Sequence, residues 1–289
     1  MNNQYIIHRP TITDNQVNAW SVQYIPFEPK DWRRTMRDEL RLAINEISPD
    51  GNGLYAAYIS ESDQFCDVEN VLLYNIGASA FKTLSSYGLC FERGFDPAPV
   101  SDTNNLALSH YYHYSQGSAF RLWEENKTLA SWQKIALPTL TSTSKPHMFW
   151  YALKTGDVRC AHHVAPLKQF GLDIRLRLPE TAWCNLAVLI KPLLDGVISA
   201  FHEQDVPCEN IMLQRLAALT GSSVAEAERL LFAVVYPVLE ARPIVSAYRQ
   251  GIIWNPEDDA CVACRVTVQR SADNKSWSMD GRLFSVASS

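Results

Sequence analysis

Residues 171–201, GLDIRLRLPETAWCNLAVLIKPLLDGVISAF, decide the fold class. Leu172, Ile174, Leu176 and Leu178 alternate with Asp173, Arg175 and Arg177, and that period of two predicts a half-buried strand with a charged outer face. Pro179 ends the alternation in a turn, and the apolar run from about Asn185 to Phe201 predicts a helix. A strand passed directly to a helix is the building unit of an α/β sheet protein.

The same unit recurs upstream. Leu54 to Ile59 predicts a strand, residues from about Asp67 to Tyr87 a helical segment, and Leu89 to Phe91, after Gly88, the next strand. Before them, Trp32, Met36, Leu40, Ala43 and Ile47 recur at helical spacing, with Asp31 placed to cap the helix and Pro49, Gly51 and Gly53 to end it. Residues 94–118 predict a long loop carrying one short strand. Two further helices are expected within 209–240, split at Gly221 and Ser222, and Ser223 followed by Glu226 has the spacing of a capping box. Val262, Cys264, Val266 and Val268 alternate as a late strand, and Trp277 to Val286 is expected to add a last hairpin arm. The expected fold is therefore α/β, with α+β as the alternative. It has two related strand–helix units around mixed sheets, residues 1–150 and 151–289, with a helical-hairpin insertion at 203–249.

Composition narrows the function classes. The 289 residues are 47% hydrophobic, enough for a sizeable core, and carry 26 Lys and Arg against 31 Asp and Glu, a formal charge of −5. A global basic footprint for nucleic acid is absent, which leaves a local basic groove as the route to such a partner. Residues 1–10 lack an apolar signal-peptide core, and no apolar run reaches the ~20 residues of a membrane span. Seven cysteines, an odd number, suit reduced thiols. A cytoplasmic protein is the expectation.

A shift of 118 residues lays Phe65-Cys66-Asp67 on Trp183-Cys184-Asn185, each between a strand and an apolar helix. In the first copy the helix opens with Asp67, Glu69 and Asn70. In the second it carries Lys191 and Asp195, and Asp258-Asp259 precedes the late strand. This pattern resembles the RusA family of Holliday-junction resolvases, whose helix start has the form D-x-D-N-x-x-K-x-x-x-D followed later by a paired D-D before a strand. The second copy departs from it at Asn185, Ala187 and Val188, and the first at Leu73 and Gly77, so the two copies are complementary and neither is complete. The resemblance covers residues 171–202 and 250–270 loosely. It implies a dimer with Mg²⁺ held by clustered carboxylates, which are hard oxygen ligands, and a Lys that offsets charge on the scissile phosphate.

Ordinary roles compete with these. Asp67 and Glu69 also suit a helix N-terminus, Lys191 a solvated helix position, and Asp258 and Asp259, after Asn255-Pro256, a turn. Cys261 and Cys264 form a C-x-x-C, but positions i and i+3 of a strand face opposite ways, against a shared zinc. Cys160 with His162 and His163 invites a thiol-nucleophile reading, and the His and Tyr cluster at 110–114 a base-stacking one, although alternating aromatics on a strand suit core and rim. The 209–240 helices have a helix-turn-helix spacing but present Glu226 and Glu228 where phosphate contacts favour Arg, so a helical hairpin packed on the sheet is expected instead.

Two functional readings follow. In the first, the chain is a divergent RusA-like protein, active or inactive, that engages structured DNA or RNA. If active, it is a Mg-dependent endonuclease. Asp67, Glu69, Lys191 and Asp195 are then the catalytic candidates, and Asp67, Glu69, Asp258 and Asp259, joined by Asp195, the metal-ligand candidates, with the two half-sites meeting in space or across a homodimer. In the second, it is a non-catalytic scaffold that binds a protein partner through residues 209–240.

Overall fold

The structure, a computed structural model, describes residues 4–61, 67–101, 108–161, 167–233, 238–256 and 258–288. Its first unit runs β1 (Tyr5–His8), β2 (Val17–Ser21), α1 (Asp31–Asn45), β3 (Leu54–Ile59), β4 (Gly88–Gly94) and β5 (His110–Gln116). Its second runs β6 (Trp123–Leu137), α2 (Pro146–Thr155), β7 (Val158–Cys160), β8 (Phe170–Pro179) and α3 (Leu186–Phe201). After an insertion holding α4 (Asn210–Thr220), α5 (Val224–Leu231), β9 (Val245–Tyr248) and β10 (Gly251–Trp254), it ends in β11 (Cys261–Ser271) and β12 (Trp277–Ser288).

One mixed sheet of ten strands, in the order β1-β2-β5-β3-β4-β11-β8-β12-β6-β7, joins the two units, and β9 and β10 form a separate hairpin. The expected α/β class is therefore observed. In the first unit β2 and β5 are antiparallel, as are β5 and β3, while β3 and β4 are parallel. In the second, β6 and β12 are antiparallel, as are β12 and β8, while β8 and β11 are parallel. Order and polarity thus repeat, and antiparallel pairing of β4 with β11 relates the units by a pseudo-two-fold. The register supports this. The 118-residue shift takes Leu54 to Leu172, whose parallel neighbours are Leu89 and Cys264. Across the central pair Leu89 faces Val266 and Phe91 faces Cys264, so the axis passes between Cys90 and Arg265. By this equivalence the units join between β5 and β6, earlier in the chain than residue 150.

The alternation at 172–178 has the effect expected of it. Leu172, Ile174, Leu176 and Leu178 are fully buried, while Asp173 pairs with Arg265 and Arg282, and Arg177 with Asp280, on the other face. Helices α1 and α3 pack on the apolar face in one large core. Close approach of α3 to α2 needs Gly196, because a Cβ there would meet the Pro146 carbonyl and lie 2.8 Å from the Phe149 Cβ. Gly196→Ala is expected to cost about 2 kcal/mol through overpacking. Urea unfolding measures this, and an unchanged midpoint would show that α2 yields without cost.

Several expectations are corrected. Asp31 is the first helical residue, at φ 50°, and the cap position belongs to Lys30, which makes no side-chain cap bond. The segment expected as one helix at 67–87 is broken into a π-helical turn at Asn70–Tyr74 and 3₁₀ turns at Ala78–Phe81 and Leu84–Ser86. Gly77, at φ 116°, turns the chain into the first 3₁₀ turn, and Arg41 bonds the preceding Ile76 carbonyl where any Cβ on Gly77 would collide with its guanidinium. Strand β12 is no hairpin partner of β11, since β8 lies between them.

The expected cap at Ser223 forms, its hydroxyl accepting from the Glu226 N–H at 3.1 Å. The α4–α5 hairpin, however, packs on Trp150 of α2 together with Ile244 and Val245, away from the sheet, and α5 ends at Leu231. Cys261 and Cys264 both lie in the main core because the register shifts between Cys261 and Ala263, which overturns the opposite-face argument. Burial pushes both thiols well above the ordinary range, so they are protonated core residues. No helix among the described residues is long and apolar enough to cross a membrane.

Candidate metal centre

The pseudo-two-fold brings the start of the 67–87 segment beside α3 and beside the turn before β11. Asp67 and Glu69 come from the first unit, Lys191 and Asp195 lie one turn apart on α3, and Asp258 opens the 3₁₀ turn Asp258–Ala260. Each is a local consequence of its element: acids favour the first turn of a helix, and i and i+4 share a helix face. Their convergence is a consequence of the sheet.

Lys191 Nζ sits at the centre. It is 3.0 Å from Glu69 Oε1, 3.1 Å from Asp195 Oδ1 and 3.4 Å from Asp67 Oδ2, and it contacts Asp258 Oδ2. Asn70 donates to the Asp67 carboxylate and fixes its orientation. Glu69 is 1% exposed, and its Oε2 is buried with no hydrogen-bond partner among the described residues. A buried carboxylate oxygen without a partner is costly, and a cation is the natural way to satisfy it.

The charges are poorly balanced. Four carboxylates surround one ammonium, three negative charges in excess if all ionise. Burial raises the Glu69 carboxyl to about 8, with Asp258 and Asp67 adding to the rise and Lys191 opposing it. Burial likewise raises Asp258 to about 7 against the pull of Lys191, and it raises Asp195. Burial would lower Lys191, but the carboxylates of Glu69, Asp195, Asp258 and Asp67 outweigh it and hold the ammonium charged.

No family model, curated protein or solved structure matches the chain. The chemistry of the site rests on its own geometry. Asp67, Glu69 and Asp258 each offer a carboxylate oxygen, and the three oxygens lie within 4.8 Å of one another. Ligands on opposite sides of a Mg²⁺ stand about 4.2 Å apart, from metal–oxygen distances of about 2.1 Å, so a modest contraction brings the set to bonding distance. Oxygen-only ligation suits Mg²⁺, Mn²⁺ or Ca²⁺. The residues fit such an ion.

Of the residues expected from sequence, Asp67, Glu69, Lys191, Asp195 and Asp258 come together. Of the metal-ligand candidates, Asp259 and Asp195 lie outside the group of three carboxylates, Asp195 pairing instead with Lys191. The 118-residue shift places Asn185 and Ala187 opposite Asp67 and Glu69, and Leu73 and Gly77 opposite Lys191 and Asp195. The two-fold position therefore lacks those charged groups, and Asp67, Glu69 and Asp258 are the one such acidic group among the described residues.

The site opens into a cleft of about 660 Å³. Val188 and Pro192 line it, and Pro192 has no N–H to donate to the Val188 carbonyl within α3. Phe27, Tyr74 and Lys145 line it too, and sequence reasoning missed all three. Other sequence candidates take ordinary roles. His113 and Tyr114 are buried in β5, where burial lowers His113 to about 4. Burial raises the Cys160 thiol despite Lys154, which leaves it poorly suited as a nucleophile, while His162 and His163 lie outside the described residues.

Proposed function

We propose that the chain is a divergent RusA-like, divalent-metal-dependent endonuclease acting on structured nucleic acid, with one active centre assembled from two half-motifs. The observation that carries this reading is the convergence of the Asp67, Glu69 and Asp258 oxygens within 4.8 Å, with Lys191 among them. In this reading those three carboxylates hold Mg²⁺, which when bound supplies Lewis-acid polarisation of the phosphodiester. Asn70 keeps the Asp67 carboxylate aimed at the ion. With an ion held there, Lys191 would be placed to offset charge on the phosphate, and Asp195, one turn along α3, would keep its ammonium beside the site. Both halves lie in one chain, so a single chain supplies what the resemblance assigns to a dimer.

Cleavage of four-way-junction and flap DNA in Mg²⁺ or Mn²⁺ is the direct test. Wild-type protein is expected to cleave, and Asp67→Ala to be slower by at least about 10²-fold, since losing a few kcal/mol of transition-state stabilisation costs that much. Absence of cleavage by both proteins, with no Mn²⁺ bound, overturns the reading.

One observation favours a second reading. Lys191 already contacts four carboxylates, so a lysine-neutralised cluster satisfies much of the site without an ion. A fold that needs no ion there, the non-catalytic scaffold, is the second reading, and Mn²⁺ titration separates the two.

A further inference from the structure

The cleft beside the acidic cluster has an aromatic wall. Phe27, from the connection between β2 and α1, and Tyr74, the last residue of the π turn, stack with centroids 5.2 Å apart and planes within 10° of parallel. They are 58% and 52% exposed, whereas Phe81 and Tyr114 nearby are fully buried. Leaving two large rings half in water forgoes apolar burial, and although Tyr87, Trp183 and Tyr248 are as exposed, Phe27 and Tyr74 are the two that stack on each other in the wall of this cleft. The π turn that presents Tyr74 begins at Asn70, the residue that orients Asp67, so one irregularity serves both the wall and the cluster. Lys145 and Lys191 are the cations lining the cleft, and Ser142, Asn70 and Asn75 add polar side chains.

A ligand complementary to this cleft has a flat ring for the aromatic wall and an anionic group for the lysines. We infer that the cleft takes an unpaired nucleotide, its base laid on the Phe27–Tyr74 stack and its phosphate turned toward Lys191 and the carboxylates. Only the placement of that phosphate rests on the metal-dependent reading above. A base inside an intact duplex has both faces covered by its neighbours, so the substrate class is single-stranded or unpaired DNA or RNA, such as the frayed arm of a branch, rather than uninterrupted duplex.

The test uses full-length protein and 12-nucleotide single-stranded DNA, single-stranded RNA and duplex DNA carrying 2-aminopurine, in EDTA and in Ca²⁺. Fluorescence quenching reports stacking and anisotropy reports affinity. Quenched single strands bound about 10-fold more tightly than duplex are expected, with DNA and RNA arms showing which sugar is preferred. Phe27→Leu and Tyr74→Leu, which keep an apolar side chain but remove the ring, are each expected to weaken single-strand binding about 10-fold. Phe27 lies outside every helix and strand, so its variant keeps the test alive should Tyr74→Leu disturb the π turn. Equal affinity for duplex and single strand, or leucine variants that bind and quench like wild type, overturns the inference. Electron paramagnetic resonance of Mn²⁺ with the same protein and oligonucleotides, in buffer free of EDTA and Ca²⁺, keeps the two readings apart. Quenching without Mn²⁺ binding supports the aromatic platform and removes the metal centre, whereas Mn²⁺ binding without quenching does the reverse.

Discussion

Lys191→Met is expected to destabilise the metal-free protein by about 3 kcal/mol near pH 8 and by much less near pH 5, and saturating Ca²⁺ is expected to restore most of the loss. Methionine keeps the length of the aliphatic stem, so the change removes the charge with little change in packing. Removing one partner of a buried ion pair costs roughly 3–5 kcal/mol because the remaining charge stays buried. Lys191 retains 29% exposure, which argues for the lower end. The pH dependence follows from which state holds protons. In the unfolded chain carboxylates ionise near their ordinary values of about 4. In the folded protein Glu69 and Asp258 keep their protons to about 8 and 7 even with the ammonium present. Between those limits the folded state binds more protons than the unfolded, so stability falls as pH rises, and removing Lys191 deepens the fall. Well below pH 4, Glu69 and Asp258 are protonated in both states and the lysine matters little to them. Urea denaturation at pH 5 and pH 8, with and without Ca²⁺, measures all of this. A variant as stable as wild type at pH 8 would mean the ammonium does not neutralise the cluster, and loss without Ca²⁺ rescue would favour the scaffold reading.

The difference between what was legible in the sequence and what was not is physical. The strand at 172–178 and the helix after it were legible because one face of each is apolar and the period is unbroken. The 67–87 segment has similar apolar content, yet a period alone does not register the extra residue of a π turn or the φ of 116° at Gly77. Strand β6 was missed because Glu124, Glu125, Lys127 and Thr128 leave its first half without alternation, and it finds its place by pairing with β12. The cysteines were assigned opposite faces by a rule that a single bulge cancels. The acids of the site were visible as fragments of two motifs, but their meeting depends on β4 pairing with β11, a contact between distant parts of the chain. Phe27 and Tyr74 carry no local signal at all. They become a feature only when the connection before α1 folds over the π turn.

Glu69→Gln is expected to move stability and metal affinity in opposite directions. The carboxyl is 1% exposed, raised to about 8 first by burial and then by Asp258 and Asp67, so at pH 8 and above its ionisation is a cost the folded state bears. Glutamine keeps the shape, its carbonyl continues to accept from Lys191, and its amide can donate to a neighbouring carboxylate where the Glu69 oxygen has no partner. Removing a desolvated like charge is then stabilising at pH 8, with the midpoint of thermal unfolding rising about 2–4 °C for each kcal/mol gained. At pH 5 the glutamate is already protonated and resembles glutamine, so the two proteins should unfold together. Mn²⁺ affinity should fall at least about 10²-fold, more than the 10–100-fold lost when a group supporting a metal ligand is removed, because one of three carboxylate ligands is gone. A lysine-neutralised scaffold shares the gain in stability but has no metal affinity to lose. Calorimetric Mn²⁺ titration beside thermal unfolding therefore distinguishes a protein that tolerates a buried charge for the sake of an ion from one in which the same charge is a remnant of the repeat, and a Glu69→Gln protein that is less stable at pH 8 would contradict both.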